Sequence, residues 1–104
     1  GLYLEFYDPT GKLESTLRAN HAYFFKDQNQ WRGRGKVEVK NINKTEQLTT
    51  EELFWKPGEK KIFTDKFVTI KQGGDVIYGV GLEAMQDLSS YTILKPTGEI
   101  EVKE

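Results

Sequence analysis

The side chains able to do chemistry are few and poorly placed for it. His21 is the one histidine and there is no cysteine, so a nucleophile–base pair or a zinc site lacks ligands. His21 sits at a corner of the chain and reads as a surface residue. Glu51 and Glu52 invite comparison with the paired carboxylates of a glycosidase. Adjacent strand residues point to opposite faces, and both glutamates are expected in solvent at a bend. Asp65 and Asp75 have no partner carboxylates at metal-loop spacing. Arg32-Gly33-Arg34-Gly35-Lys36 beside Trp31 could set cations on phosphates and a ring on a base. The simpler reading puts those cations on a solvent face and Trp31 in the core. Gly79-Val80-Gly81 lacks a third glycine and opens no helix, so it is no dinucleotide fingerprint. Asn43-Lys44-Thr45 matches a glycosylation triplet, a pattern frequent by chance. The sequence therefore predicts no catalytic residue, no metal and no cofactor.

The elements that would carry a site read as strands. The 104 residues are one domain, 1–104, with 10 glycines, 3 prolines and 12% aromatics. Apolar and aromatic runs recur every ten to twelve residues, about the spacing of an all-β chain. Charged residues make up 30% and cancel to −1, which argues against a general attraction to nucleic acid or an acidic membrane. No apolar run reaches the roughly 20 residues of a bilayer span. The chain starts at Gly1 inside an apparent strand, and an N-terminal anchor or signal is expected to be missing from it.

Alternation marks strands over residues 1–7, 12–18, 31–40, 46–55, 61–71, 76–86 and 91–94, with a short closing strand at 99–103. Turns are expected at Asp8-Pro9-Thr10-Gly11, 26–30, 41–44, Pro57-Gly58, 72–75, 87–90 and Lys95-Pro96-Thr97-Gly98. Thr49-Thr50-Glu51-Glu52 resembles a helix capping box, but Pro57-Gly58 would stop that helix too early. The alternation slips by one residue at Ala19 to Ala22, at Thr50 to Leu53 and at Gly81 to Ala84. A slip moves every following side chain to the other face unless the strand bends or bulges, so these three places read as corners.

The corners belong to a repeat. Sliding the chain by about 31 residues sets Ala19 on Thr50, Ala22 on Leu53, Phe24 on Trp55, Trp31 on Ile62, Val37 on Val68 and Val39 on Ile70. An equal second slide sets Thr50 on Gly81, Leu53 on Ala84 and Ile62 on Ile93, with one inserted residue aligning Ile100 and Val102. Units repeated at such periods cannot bury an apolar face alone and must stack. The expected fold is all-β: a folded-over antiparallel β-jellyroll built from about three bent hairpins.

Stacking leaves one apolar seam: Leu17, Phe24, Trp31, Val37, Val39, Leu48, Leu53, Trp55, Ile62, Val68, Ile70, Ile77 and Ile93. An ordinary packed core is one reading. The other is a groove for lipid tails, for which Leu17, Phe24, Trp31, Val37, Leu48, Leu53, Trp55, Ile62, Val68, Ile70 and Ile77 are the candidate lining residues. Gly33, Gly35, Gly79 and Gly81 on the same face leave out side-chain volume that could become a cavity.

Leu-x-Ala-x-x-Ala-x-Phe at 17–24 and Trp-x-x-x-Gly-x-Val-x-Val at 31–39 resemble the OstA-like repeat. Leu-Thr-Thr-Glu-Glu-Leu-Phe-Trp at 48–55, Ile-Phe-Thr-Asp-Lys-Phe-Val at 62–68 and Tyr-Gly-Val-Gly-Leu-Glu-Ala at 78–84 resemble the lipopolysaccharide transport protein C (LptC) family over nearly the whole chain. The resemblance implies a periplasmic β-jellyroll tethered to the inner membrane by an N-terminal helix. It further implies that lipopolysaccharide is taken from an ABC transporter of LptB/LptF/LptG type and passed to an LptA-like protein through end-to-end strand addition, its acyl chains travelling in the apolar interior. Two alternatives stand beside it. One is a scaffold joining partners by strand edges around a filled core. The other is a carbohydrate-binding sandwich with Tyr3, Tyr7, Phe54 and Phe63 as sugar platforms.

Overall fold

The computed structural model describes residues 1–97. The strands are β1 (Leu2–Tyr7), β2 (Leu13–Ala19), β3 (His21–Phe25), β4 (Gln30–Asn41), β5 (Glu46–Lys56), β6 (Lys61–Gln72), β7 (Asp75–Met85) and β8 (Tyr91–Thr97), with a single 3-10 turn at Lys26–Gln28. They form one antiparallel sheet in the order β1-β2-β4-β5-β6-β7-β8, and β3 pairs beside β4. The chain is all-β and the sheet does not close, in keeping with a jellyroll-like fold. The helix considered over 49–55 is absent, since β5 runs unbroken through it.

The sheet folds over because each long strand bends where its register shifts. β4 pairs with β3 through 30–34 and with β2 through 38–41. Between them Asn20 breaks the path, its amide donating to the Gly35 carbonyl at 2.9 Å. Register shifts fall between Arg34 and Val37, between Thr50 and Phe54 and between Thr64 and Phe67. Gly35 and Gly81 stand at the crease with φ of 83° and 85°, a region open to glycine at little cost. The crease divides the sheet into two layers. The first holds β1, β2 and residues 37–41, 46–50, 68–72 and 75–79; the second holds β3 and residues 30–34, 53–56, 61–64, 82–85 and 91–93.

The core lies between the layers. Layer one contributes Leu17, Val37, Val39, Leu48, Val68 and Ile70, and layer two contributes Leu53, Ile62, Leu82 and Ala84. Leu48 and Ile62 are completely buried. Burying such side chains is worth roughly 1.5–3 kcal/mol each.

Three expectations need correction. The first slide of the repeat holds in space: Thr50 pairs beside Val37 and Val68, and Trp55 beside Trp31 and Ile62. The second does not. Ile62 pairs with Ala84, which pairs with Tyr91, so Tyr91 rather than Ile93 takes the place of Ile62, and Leu82 rather than Ala84 that of Leu53. The third copy lies about 29 residues on, two fewer, because β6 and β7 are joined by two residues, 73–74, where β4 and β5 are joined by four, 42–45. Second, the turn expected at 95–98 is replaced through Thr97 by strand: Pro96 pairs beside Gly79 on the outermost strand, where a missing N–H faces away from the ladder. Third, the glycine volume is filled. A Cβ on Gly79 would stand 2.1 Å from the Ile93 side chain, and one on Gly33 3.1 Å from the Ala19 Cβ. The closing strand at 99–103 lies outside the described residues.

Candidate functional site

One row of side chains crosses the inner face of layer two near its free end: Phe24, Trp31, Trp55, Ile62, Ala84 and Tyr91, paired in that order. Coverage changes along it. Ile62 is sealed, Trp55 is half-buried with its ring 5.2 Å from Phe6 of β1, and Trp31 is half-buried against Phe24 with ring centroids 4.9 Å apart. Phe24 keeps 46% of its surface exposed. Its register agrees with the seam, but its expected burial does not hold, because β3 is an edge strand packed essentially on β4 alone. The apolar seam thus runs out to solvent at Phe24 and Trp31.

The other seam residues lie deeper. Leu17, Val37, Leu48, Leu53, Val68 and Ile70 are buried, and Ile77 is half-buried. Sequence reasoning missed Phe6, Leu82 and Leu88. Leu82 was hidden by the misplaced third copy. Leu88 sits in Gln86-Asp87-Leu88-Ser89-Ser90, where a lone apolar residue in a polar loop was the only signal.

The end of layer one that faces this row is polar. Phe6, Ser15, Asn41, Glu46 and Gln72 form its last paired row. Ser15 Oγ donates to the Gln86 carbonyl at 3.0 Å, and Asn41 Nδ2 donates to the Asp87 carbonyl. Gln72 Nε2 donates to Glu46 Oε2 at 2.8 Å and to the Tyr91 hydroxyl. Burial, then the nearby Glu46 charge, raises the Tyr91 phenol above its ordinary value. Glu46 Oε1 is buried without a hydrogen-bond partner.

The outer faces carry the charges. Glu52 is only 7% exposed, correcting its expected place in solvent, because Arg32 Nη2 and Nε both reach its Oε2 at 2.6 Å. Arg34 Nε approaches the same oxygen at 3.7 Å, and Arg32 lies over the Tyr23 ring. Arg32 and Arg34 thereby share one ion-pair cluster with Glu52 on the outside. Glu51 and His21 are exposed. Among the described residues no group of three or more His, Asp or Glu could hold a metal ion. Phe54 and Phe63 stack on each other at 5.3 Å and 18°, which spends their faces, while Tyr3 and Tyr7 lie on β1 in the other layer. No single flat row of open rings unites the four.

An open, creased antiparallel sheet with an apolar seam between its layers defines a fold of the jellyroll kind. The chain matches the family model described as lipopolysaccharide-assembly, LptC-related, over residues 3–98, and it belongs to that family. Membership makes it a component of lipopolysaccharide transport, an envelope protein with a periplasmic domain. No curated protein matches it. No helix among the described residues is long and apolar enough to cross a membrane.

Proposed function

We propose that this domain is a non-catalytic lipid-binding module. It accepts lipopolysaccharide from an inner-membrane ABC transporter of LptB/LptF/LptG type and hands the acyl chains along the seam to an LptA-like partner. In the full-length protein it is held at the inner membrane by an N-terminal anchor. The observation that carries the reading is the inner row that begins in solvent at Phe24 and Trp31 and continues through Trp55 to Ile62. Among the described residues β1, β3 and β8 are edge strands, and the backbone groups along such edges are ones that another chain's strand can complete.

A photoreactive residue placed at Trp31 or Trp55 in the full-length protein tests the reading. Lipopolysaccharide adducts are expected at both positions and not at Thr69 on the outer face. Equal labelling at all three would refute a seam-bound chain. The packed interior favours a second reading, a scaffold that joins partners through its edges. That reading predicts capture of an LptA-like protein with no lipid adduct anywhere.

A further inference from the structure

The seam is tightly filled, yet a bound hydrocarbon chain needs room. The structure shows one place where filling and closure come from the same short segment. Residues 86–90, between β7 and β8, cross the end of the fold opposite the crease. Their backbone is held from both layers. From layer one come the Ser15 and Asn41 side chains, bonded to the carbonyls of Gln86 and Asp87. From layer two, the Gln86 amide donates to the Lys60 carbonyl at 2.9 Å, and the Gln86 side-chain oxygen accepts from Trp55 Nε1 at 2.9 Å. The segment drives Leu88 inward to 2% exposure as part of the hydrophobic core.

Two features say that this closure is held against a cost. Leu88 adopts φ of 62°, a left-handed conformation that costs a non-glycine residue about 1 kcal/mol or more. Glu46 Oε1, in the same polar row as Ser15 and Asn41, is buried with no partner, and an unsatisfied buried acceptor is unfavourable. Lifting the segment would relax the first and admit water to the second. Three of the four hydrogen bonds that tie it to the two layers involve a polar side chain, and each can be exchanged for water.

We infer that residues 86–90 form a displaceable strap, and that a hydrocarbon chain enters the seam by taking the space of Leu88 between the polar row of layer one and the Trp55–Ile62 row of layer two. The inference rests on the lipid-binding reading above and adds to it the place of access and what guards it. Closed, the strap spares the apolar interior from water and from stray amphiphiles. Open, it exposes the Gln72 side-chain amide at the mouth, a donor suited to the polar linkages at the head of an acyl chain. Apparent affinity is then the intrinsic affinity reduced by the open fraction, so weakening the strap tightens binding.

The probe is 11-(dansylamino)undecanoic acid, whose dansyl group accepts energy from Trp55 and Trp31. Removing one hydrogen bond raises the open fraction about four- to fivefold, and removing two about twentyfold. A Ser15→Ala/Asn41→Ala protein should therefore bind the probe about twentyfold tighter than the parent. Unchanged or weaker binding by this variant, with its circular dichroism intact, would overturn the strap. Hydrogen exchange on the parent protein covers the case in which the variant does not fold. Saturating probe should speed exchange at the Gln86 and Leu88 amides while the β6 amides stay protected. Unaltered protection at both amides overturns the strap as well. Lipopolysaccharide adducts at Trp31 that persist in either case would leave the seam reading standing and remove only the strap.

Discussion

At the scale of single residues, several side chains do more than their alternation suggests. Alternation assigned Glu52 to a face but not its burial, because burial is decided by Arg32, which is distant in sequence and adjacent only once β4 and β5 pair. Glu52→Ala leaves Arg32 without its acceptor and should destabilise the domain by about 1–3 kcal/mol, whereas Glu52→Gln, which keeps an acceptor, should lose less. Urea denaturation of both variants checks the order; equal losses would show that the site needs the charge itself. Asp8 presents a pH effect of known sign. Its Oδ1 accepts from the Thr10 amide and hydroxyl and from the Lys12 amide, and these bonds, the Thr10 hydroxyl first, hold its pKa below the ordinary 3.8. A group depressed on folding stabilises the turn above its unfolded pKa and loses that contribution as pH falls through the folded one. The Thr10 amide resonance should therefore shift at a pH below 3.8, and an Asp8→Asn protein should show no such step.

At the scale of elements, corners rather than strands separate what the sequence reveals from what it hides. The bends in β5 and β7 bring buried residues of opposite parity together, Thr50 with Leu53 and Gly79 with Leu82, and a broken alternation betrays them. The bends in β4 and β6 join Gly33 to Val37 and Thr64 to Val68. Those separations are even, so the pattern looks straight although register shifts cross both strands. A pleat argument detects only corners that change face. The third copy was displaced by a turn rather than a corner, since β6 and β7 are joined by Gly73 and Gly74 alone where four residues, 42–45, join β4 and β5. Gly79 tests how closely β8 packs on β7. A methyl group there would stand 2.1 Å from the Ile93 side chain and 3.0 Å from the Lys95 carbonyl oxygen. Gly79→Ala should cost about 1–3 kcal/mol by overpacking, with the loss of hydrogen-exchange protection concentrated in β8. Protection lost evenly across the sheet would mean that β8 carries no separate weakness.

At the scale of the molecule, the architecture was legible because it follows from repetition: one bent hairpin cannot bury its apolar face, so copies must share a seam. What was not legible is which side chains fill that seam, since Leu88 reaches it from a loop and Phe24 fails to be covered by one. The two layers are nevertheless not two independent units. Leu48 of layer one and Leu53 of layer two belong to the same strand, as do Ile62 and Ile70, and all four join one core. Most contacts in the fold join residues far apart in sequence, which slows folding. Leu48→Ala removes buried methyl groups from a fully sealed position and should cost about 2–5 kcal/mol. If the crease makes one cooperative body, the weakened variant will still unfold in a single transition, and the amides of the buried layer-two residues Ile62 and Leu82 will lose as much protection as those flanking Leu48. Loss confined to layer one would instead mean that the crease is a hinge between separately stable sheets, and that lipid access could come from parting the layers rather than from one end.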